Sequence, residues 1–542
     1  MSTFLENNFA PVHEEHDFVE LEFDGKIQLD GMYIRNGPNP GVHVGKNYHW
    51  FAGDGMLHAI YFKDNKAYYV NKFIKTSKYT IEKEIQTGIS GSFGELSSAV
   101  PQQPLKLLFW LLRNIARPKL FRALFDRNIS TGNTALAHYN QRLLALVESS
   151  LPTHIIAPSL DTAGIYDFNT TYGTYSRNTF LTKFSKFPIV GKAFQFVDDL
   201  LFDQTTIAYT AHPKIDYETK DIFSMSYSAS GPCHYFVANK HGKPIVNSLQ
   251  LDFGRNPWMH DFVITKKYAI FFDCNLLFDF DAMKRGEPIL GVRKNIHGCI
   301  WVFPRYSNNP KDLICITGKD LGIVVHFANA FEINDNTIEV IASRSNSIEI
   351  GNLQVLDLKD TSPNDLSYLT RYTIDLKSKT FSQQRLTDVV GEFPVINKGY
   401  TAKSNQYVYF ATTRTKFVLF DGICKIDLKT NQTQILDHGK DWYSGESLFV
   451  STGAREDDGF VMSFVHNEVT NKDEFRIANA LNMEVVSVIK VPFTVPYGFH
   501  GYWLSKEDIK NQVAAEPIKD VKHPFYKLWL MKGFSKLSEA YY

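Results

Sequence analysis

Cysteine is scarce in this chain: five residues in 542, at Cys233, Cys274, Cys299, Cys315 and Cys424. The count is odd and no CxxC occurs, so a disulfide scaffold or a thiolate zinc site is not expected. Long apolar runs are missing too. The longest is Leu107–Leu112, far short of the roughly 20 residues of a spanning helix. The first residues, MSTFLENNFAPVHEEHDF, have neither a basic nor an apolar block and are not expected to be a signal peptide. Net charge is absent, with Lys+Arg and Asp+Glu at 58 each. Nucleic acid is therefore not the expected partner, because phosphate binding needs a basic excess. The expectation is a soluble protein of the reducing cytoplasm with no obligate protein partner.

Apolar residues make up 44% and aromatics 14%, including 42 Phe and 27 Tyr. That excludes disorder and allows a large core. Short runs rich in Val, Ile, Tyr, Phe and Thr recur at Ala67–Phe73, Leu143–Glu148, Tyr268–Asp273, Leu313–Thr317, Tyr407–Thr413 and Gly459–Val465. Turn signals punctuate them, as at Lys63-Asp64-Asn65 and Asp457-Asp458-Gly459. This pattern predicts an all-β protein. No linker divides the chain, so one domain over 1–542 is expected. A sandwich cannot absorb that length, whereas a propeller grows by one four-stranded blade at a time.

Two stretches break the pattern. Residues 104–125 read as a helix with Leu105, Leu108, Leu112 and Ile115 on one face and Lys106, Arg113 and Arg117 on another. Residues 178–202 are apolar and aromatic with scattered lysines. The favoured reading of both is core or cap. The alternative is a basic amphipathic surface in peripheral contact with a membrane. Cap or insert segments are placed at about 88–132 and 178–205.

Common catalytic signatures are absent: no GxGxxG opening a helix, no GxSxG and no HExxH. Among 17 histidines, four stand in apolar or aromatic surroundings near expected strand ends: His212, His260, His326 and His500. Their spacing is not that of a helical metal site. On a propeller, however, the inner strands converge on one axis, where such residues can meet.

These four contexts resemble those of the carotenoid cleavage oxygenase family. Gly31–Pro40 (GMYIRNGPNP) and His49–His58 (HWFAGDGMLH) are similar to its two opening signatures. Leu143–Glu148, Gly391–Pro394 and Gly445–Val450 are similar to its three glutamate segments. The resemblance runs from about residue 20 to 505, in the family's order. It implies a seven-bladed β-propeller with a helical cap over one face. It also implies that His212, His260, His326 and His500 bind one Fe(II), with open positions for dioxygen. Glu148, Glu392 and Glu446 would each accept the outer N–H of a ligand imidazole, leaving His212 without a carboxylate. Thr134 falls where many members place a small residue beside an open iron position. Gly37, Gly53 and Gly55 read as tight turns requiring positive φ, and Asp54 and Asp261 as loop anchors.

The implied reaction is cleavage of one C=C bond of a carotenoid or apocarotenoid, a long apolar polyene, by O₂ to give two aldehydes. Stilbene cleavage is the alternative, with isomerohydrolysis on the same iron centre behind it. Stilbene cleavers tend to carry a phenol-engaging lysine before the first glutamate strand. Here that region, Ser130–Thr134, has none. The segment 178–202 looks inserted relative to plant and bacterial members.

Overall fold

The structure is a computed structural model that describes residues 3–44, 48–86, 130–148, 150–166, 209–226, 233–279, 290–293, 295–348, 350 and 353–514. The expected segment 178–205 falls outside these residues, as does 88–132 apart from 130–132, and so do the 104–125 and 178–202 surfaces. Among the described residues no helix is long and apolar enough to cross a membrane.

The strands form seven antiparallel blades. Blade 1 holds His16–Leu21, Gly31–Asn39, Asp54–Lys63 and Lys66–Phe73, and takes a fifth strand, Gly501–Ser505, from the far end of the chain. Blade 2 is Ala135–Tyr139, Arg142–Leu146, Thr153–Ile156 and Asp161–Ile165. Blade 3 is Lys214–Ile215, Ile222–Ser226, Cys233–Ala238 and Pro244–Leu251. Blade 4 is Val263–Ile264, Tyr268–Asp273, Cys299–Pro304 and Ile314–Ile316. Blade 5 begins at Ile323–Asn334, continues through Thr337–Ser345 and Tyr368–Asp375, and ends on the first part of the long strand Thr380–Val395. The last residues of that strand cross over to open blade 6, which continues through Tyr407–Thr412, Gly422–Asp427 and Thr433–Asp437. Blade 7 opens on Trp442–Ser444 and Leu448–Ser451, then runs through Gly459–Asn467, Lys472–Asn479 and Val485–Val491.

Each blade packs on the next through its own apolar cluster. Between blades 4 and 5, for example, Ile270, Phe272 and Val302 meet Ile338, Val340 and Tyr372. Between blades 3 and 4, Tyr235 and Val246 meet Ala269 and Phe271. Successive residues of Tyr268–Asp273 thus enter different interfaces, so the strand is apolar on both faces and reads as a continuous run. The ring closes where Tyr33 and Tyr69 of blade 1 meet Phe464 and Phe475 of blade 7.

The expected runs agree with strands to within a residue or two. Asp64 and Asn65 both have positive φ (52° and 58°) in a two-residue hairpin turn, the conformation that favours Asp and Asn. One expectation fails. Gly37, Gly53 and Gly55 are not among the positive-φ residues. Close backbone approach is the reason for them: a Cβ on Gly37 would lie 2.6 Å from the Cα of Gly498.

Candidate metal centre

Each of the seven blades delivers one polar residue to the axis. His212 lies just before the inner strand of blade 3, His260 before that of blade 4, and His500 before the strand that completes blade 1. His326 is inside the inner strand of blade 5, at an irregularity where two residues, Val325 and His326, face one of the partner strand, Ser343. Such a bulge re-aims a side chain that the pleat would direct elsewhere. Glu392 stands where the long strand opens blade 6, and Glu446 occupies the break between the two inner segments of blade 7. Glu148 follows the second strand of blade 2.

The four histidines converge so that one ligand atom from each lies within 4.8 Å of all the others. Two imidazole nitrogens bound to one metal at ~2.1 Å each are at most ~4.2 Å apart, so a small contraction of the cluster closes it on a single ion. The outer nitrogens of three are committed elsewhere. His326 Nδ1 is 2.7 Å from Glu392 Oε2, and His500 Nδ1 is 2.8 Å from Glu446 Oε1. His260 Nδ1 is paired with Glu148. No carboxylate of the described residues bonds His212. Backbone amides fix two of the carboxylates: Phe393 N–H donates to Glu392 and Gly501 N–H to Glu446. Below the histidines, Asp261 is 2.6 Å from Lys214 and accepts the Phe327 amide, tying blades 3, 4 and 5 together. Asp54 similarly accepts from Lys78 and from the Gly41 amide. Both aspartates are anchors.

The inner nitrogens are arranged to fit a cation. His326 Nε2 is buried with no hydrogen-bond partner among the described residues, a costly state for a buried polar atom. The Nε2 atoms of His212 and His260 face each other at 2.9 Å. Burial first, and neighbouring histidines second, hold His212 and His326 well below the ordinary imidazole pKa. Both rings are therefore neutral, as a metal ligand must be. Burial, the largest single influence on His260, opposes its charge, but Glu148, Asp261 and Glu392 together raise the pKa. Burial pushes Glu392 up to about 8.

A cavity of about 490 Å³ reaches His260, His326, Glu148, Glu392 and Thr134, a volume within the usual ~300–1,000 Å³ of small-molecule sites. Thr134 is buried; its hydroxyl donates to Asn133 and its carbonyl accepts from the His500 amide. Several walls had no individual signal in the sequence. Trp258 stacks on His260 with ring centroids 5.3 Å apart, and Phe393 lies 5.0 Å from His326. Trp50, Phe51 and Phe499 complete an aromatic lining. Trp50 and Phe51 belong to the second opening signature and Phe393 to a glutamate segment, so the motifs held them without giving their role. The stretch 353–367, which supplies another wall, carries no motif.

A seven-bladed propeller with a four-histidine, three-glutamate axis has close relatives. Residues 9–505 match the family described as Retinal pigment epithelial membrane protein. Carotenoid 9,10(9',10')-cleavage dioxygenase 1 of Pisum sativum is 30% identical, covering 94% of this chain and 91% of the relative. Among solved structures, Pseudomonas brassicacearum lignostilbene dioxygenase superposes with a TM-score of 0.75 at 21% identity, covering 93% of this chain and 98% of that one. A variant of the Synechocystis apocarotenoid oxygenase gives 0.71 at 23% identity, covering 91% and 97%. The chain belongs to the carotenoid cleavage oxygenase family.

Proposed function

We propose that this chain is an Fe(II)-dependent dioxygenase that cleaves one C=C bond of a carotenoid or apocarotenoid with O₂ to give two aldehydes. The observation that carries the reading is the set of four converging imidazoles, two of which, His260 and His326, line an aromatic-walled cavity, the latter with an orphaned Nε2. His212, His260, His326 and His500 would hold the metal, and a neutral nitrogen set of this kind suits iron. Bound there, Fe(II) would supply the electrons that activate O₂.

The remaining work falls to the chain. Glu148, Glu392 and Glu446 keep the outer imidazole protons on Nδ1, so that each Nε2 lone pair faces inward. Trp50, Phe51, Trp258, Phe393 and Phe499 offer flat apolar faces to a conjugated chain, exclude water and set which bond lies beside the histidines. Thr134 narrows the cavity beside the cluster. The plant relatives' names favour a carotenoid substrate. So does the lack of any lysine among the described cavity residues, because stilbene cleavers engage a phenol with one.

Purified protein is expected to contain about one iron per chain and to consume one O₂ per two aldehydes formed from a carotenoid or apocarotenoid. Iron-replete protein that releases no aldehyde from any of a panel of such substrates would refute the reading. Glu392→Gln keeps the shape of the side chain but makes it a weaker acceptor for His326. It is expected to cost roughly 10–100-fold in activity or iron affinity. Iron titration and steady-state turnover measure the two separately. Unchanged values for Glu148→Gln, Glu392→Gln and Glu446→Gln alike would remove the glutamates from the site.

A further inference from the structure

The outer edges of the blades are not alike. An edge strand offers unpaired N–H and C=O groups to any other chain, and native sheets blunt it with charge or brevity. Blade 1 ends on His16–Leu21, where Asp17 and Glu20 pair with Lys72 and Lys66 at 3.0 Å. Blade 4 ends on the three residues Ile314–Ile316. Blade 6 ends on Thr433–Asp437, whose exposed residues are mostly polar. The outer strand of blade 7, Val485–Val491, has neither defence along its middle. It pairs with Lys472–Asn479 on one side, and among the described residues no backbone bond reaches its other side. Val485, Val486 and Val488 are 41%, 37% and 46% exposed. A bulge at Val486, the extra residue opposite Ile477 and Ala478, turns two consecutive valines outward.

Charge of opposite sign marks the two ends of this strand. Glu484 stands just before it and Lys490 near its far end, and both are exposed. The Glu484 carboxylate is met only by Asn482, at 2.7 Å. Glu474, the cross-strand neighbour of Lys490, is engaged by Arg476 at 2.8 Å.

We infer that the outer strand of blade 7 is a docking edge for a second copy of this chain, the two strands running antiparallel about a two-fold axis at Ser487. In that register the strand is complementary to itself. Val486 meets Val488 of the second copy and Glu484 meets its Lys490, and the symmetry makes each contact twice. Moving the axis by one residue, to Val488, would set Lys490 against Val486 and leave Glu484 without a partner. Backbone hydrogen bonds between the edges supply affinity, and the paired side chains supply register. A strand pair covers less than the roughly 800 Å² per partner of a standard interface, so a dimer that dissociates in about the micromolar range is expected.

The test is analytical ultracentrifugation of the full chain between about 1 and about 100 µM, the range that brackets such a dimer. Glu484→Lys sets lysine against lysine at both ends of the strand pair, and Lys490→Glu sets glutamate against glutamate. Each variant alone is expected to weaken the dimer by at least about tenfold. An equimolar mixture of the two places every lysine opposite a glutamate, and is expected to dissociate within about threefold of the parent. A parent that stays monomeric at about 100 µM would overturn the second copy as the occupant and leave the edge to a strand of another protein. A dimer indifferent to both variants, or one that the mixture fails to restore, would overturn this strand and register as the interface. Both substitutions fall at exposed positions, and melting curves matching the parent establish that the fold is intact.

Discussion

Replacing His260 with alanine should remove iron and activity together. One of four converging nitrogens is lost, and the half-buried Glu148 carboxylate loses the imidazole it pairs with. Metal binding and metal-dependent turnover should therefore fail as a unit. Several kcal/mol of stabilisation that a metal supplies corresponds to about 10³-fold in rate, so residual turnover should be no more than about a thousandth of the parent's. His326→Ala should behave alike, since it removes the Nε2 that has no other partner. Two controls separate this from general damage. His297 is exposed and His138 pairs with Asp508 at 3.5 Å, away from the cluster. Alanine at either should leave iron content unchanged. The decisive measurement is iron per chain on folded protein, with activity assayed on the same sample. An active, iron-replete His260→Ala enzyme would exclude His260 as a ligand.

The second large effect is expected at Gly37, which touches neither metal nor cavity. Its strand belongs to blade 1, and the segment that passes it, Tyr497–His500, brings in the last histidine. A Cβ at Gly37 would meet the Gly498 Cα at 2.6 Å, backbone against backbone, so no flexible side chain can yield. The neighbouring bonds are Phe499 N–H to Asn36 O at 2.8 Å and Asn36 N–H to His500 O at 3.0 Å. Pushing the segments apart strains both and displaces His500. Overpacking of this kind costs about 1–3 kcal/mol, occasionally more. Gly37→Val should therefore melt at a clearly lower temperature and, where still folded, bind iron less tightly. Gly399→Ala, where the nearest contact would be a side-chain oxygen at 3.3 Å, should be close to neutral. A Gly37→Val protein with parental melting temperature and iron content would show that the approach can relax freely.

These two sites divide the legible from the illegible. His260 was visible in the sequence because its setting, Trp258-Met-His-Asp-Phe, has a distinctive local chemistry. The Gly37 motif was equally visible, but its reason was misread. Nothing local distinguishes a glycine that needs positive φ from one pressed against Gly498, because the pressing segment lies at the other end of the chain. The stretch 353–367 of the cavity wall gave no signal at all. Its Gln, Asp, Ser and Thr residues have the composition of any surface turn, and only the cavity behind them makes them a wall.

The sequence by itself determined that the chain is built of short β-strands punctuated by turns, and that four histidines and three glutamates stand in family-like settings. Those properties are local: they depend on side-chain type, alternation and turn residues within a few positions. The tertiary structure alone decided that the seven residues meet. Convergence on an axis belongs to a closed ring, and the ring closes only when Gly501–Ser505 pairs with Gly31–Asn39. That pairing sets His500 opposite blades 3, 4 and 5. No local pattern encodes it, because it arises from the sum of seven inter-blade contacts.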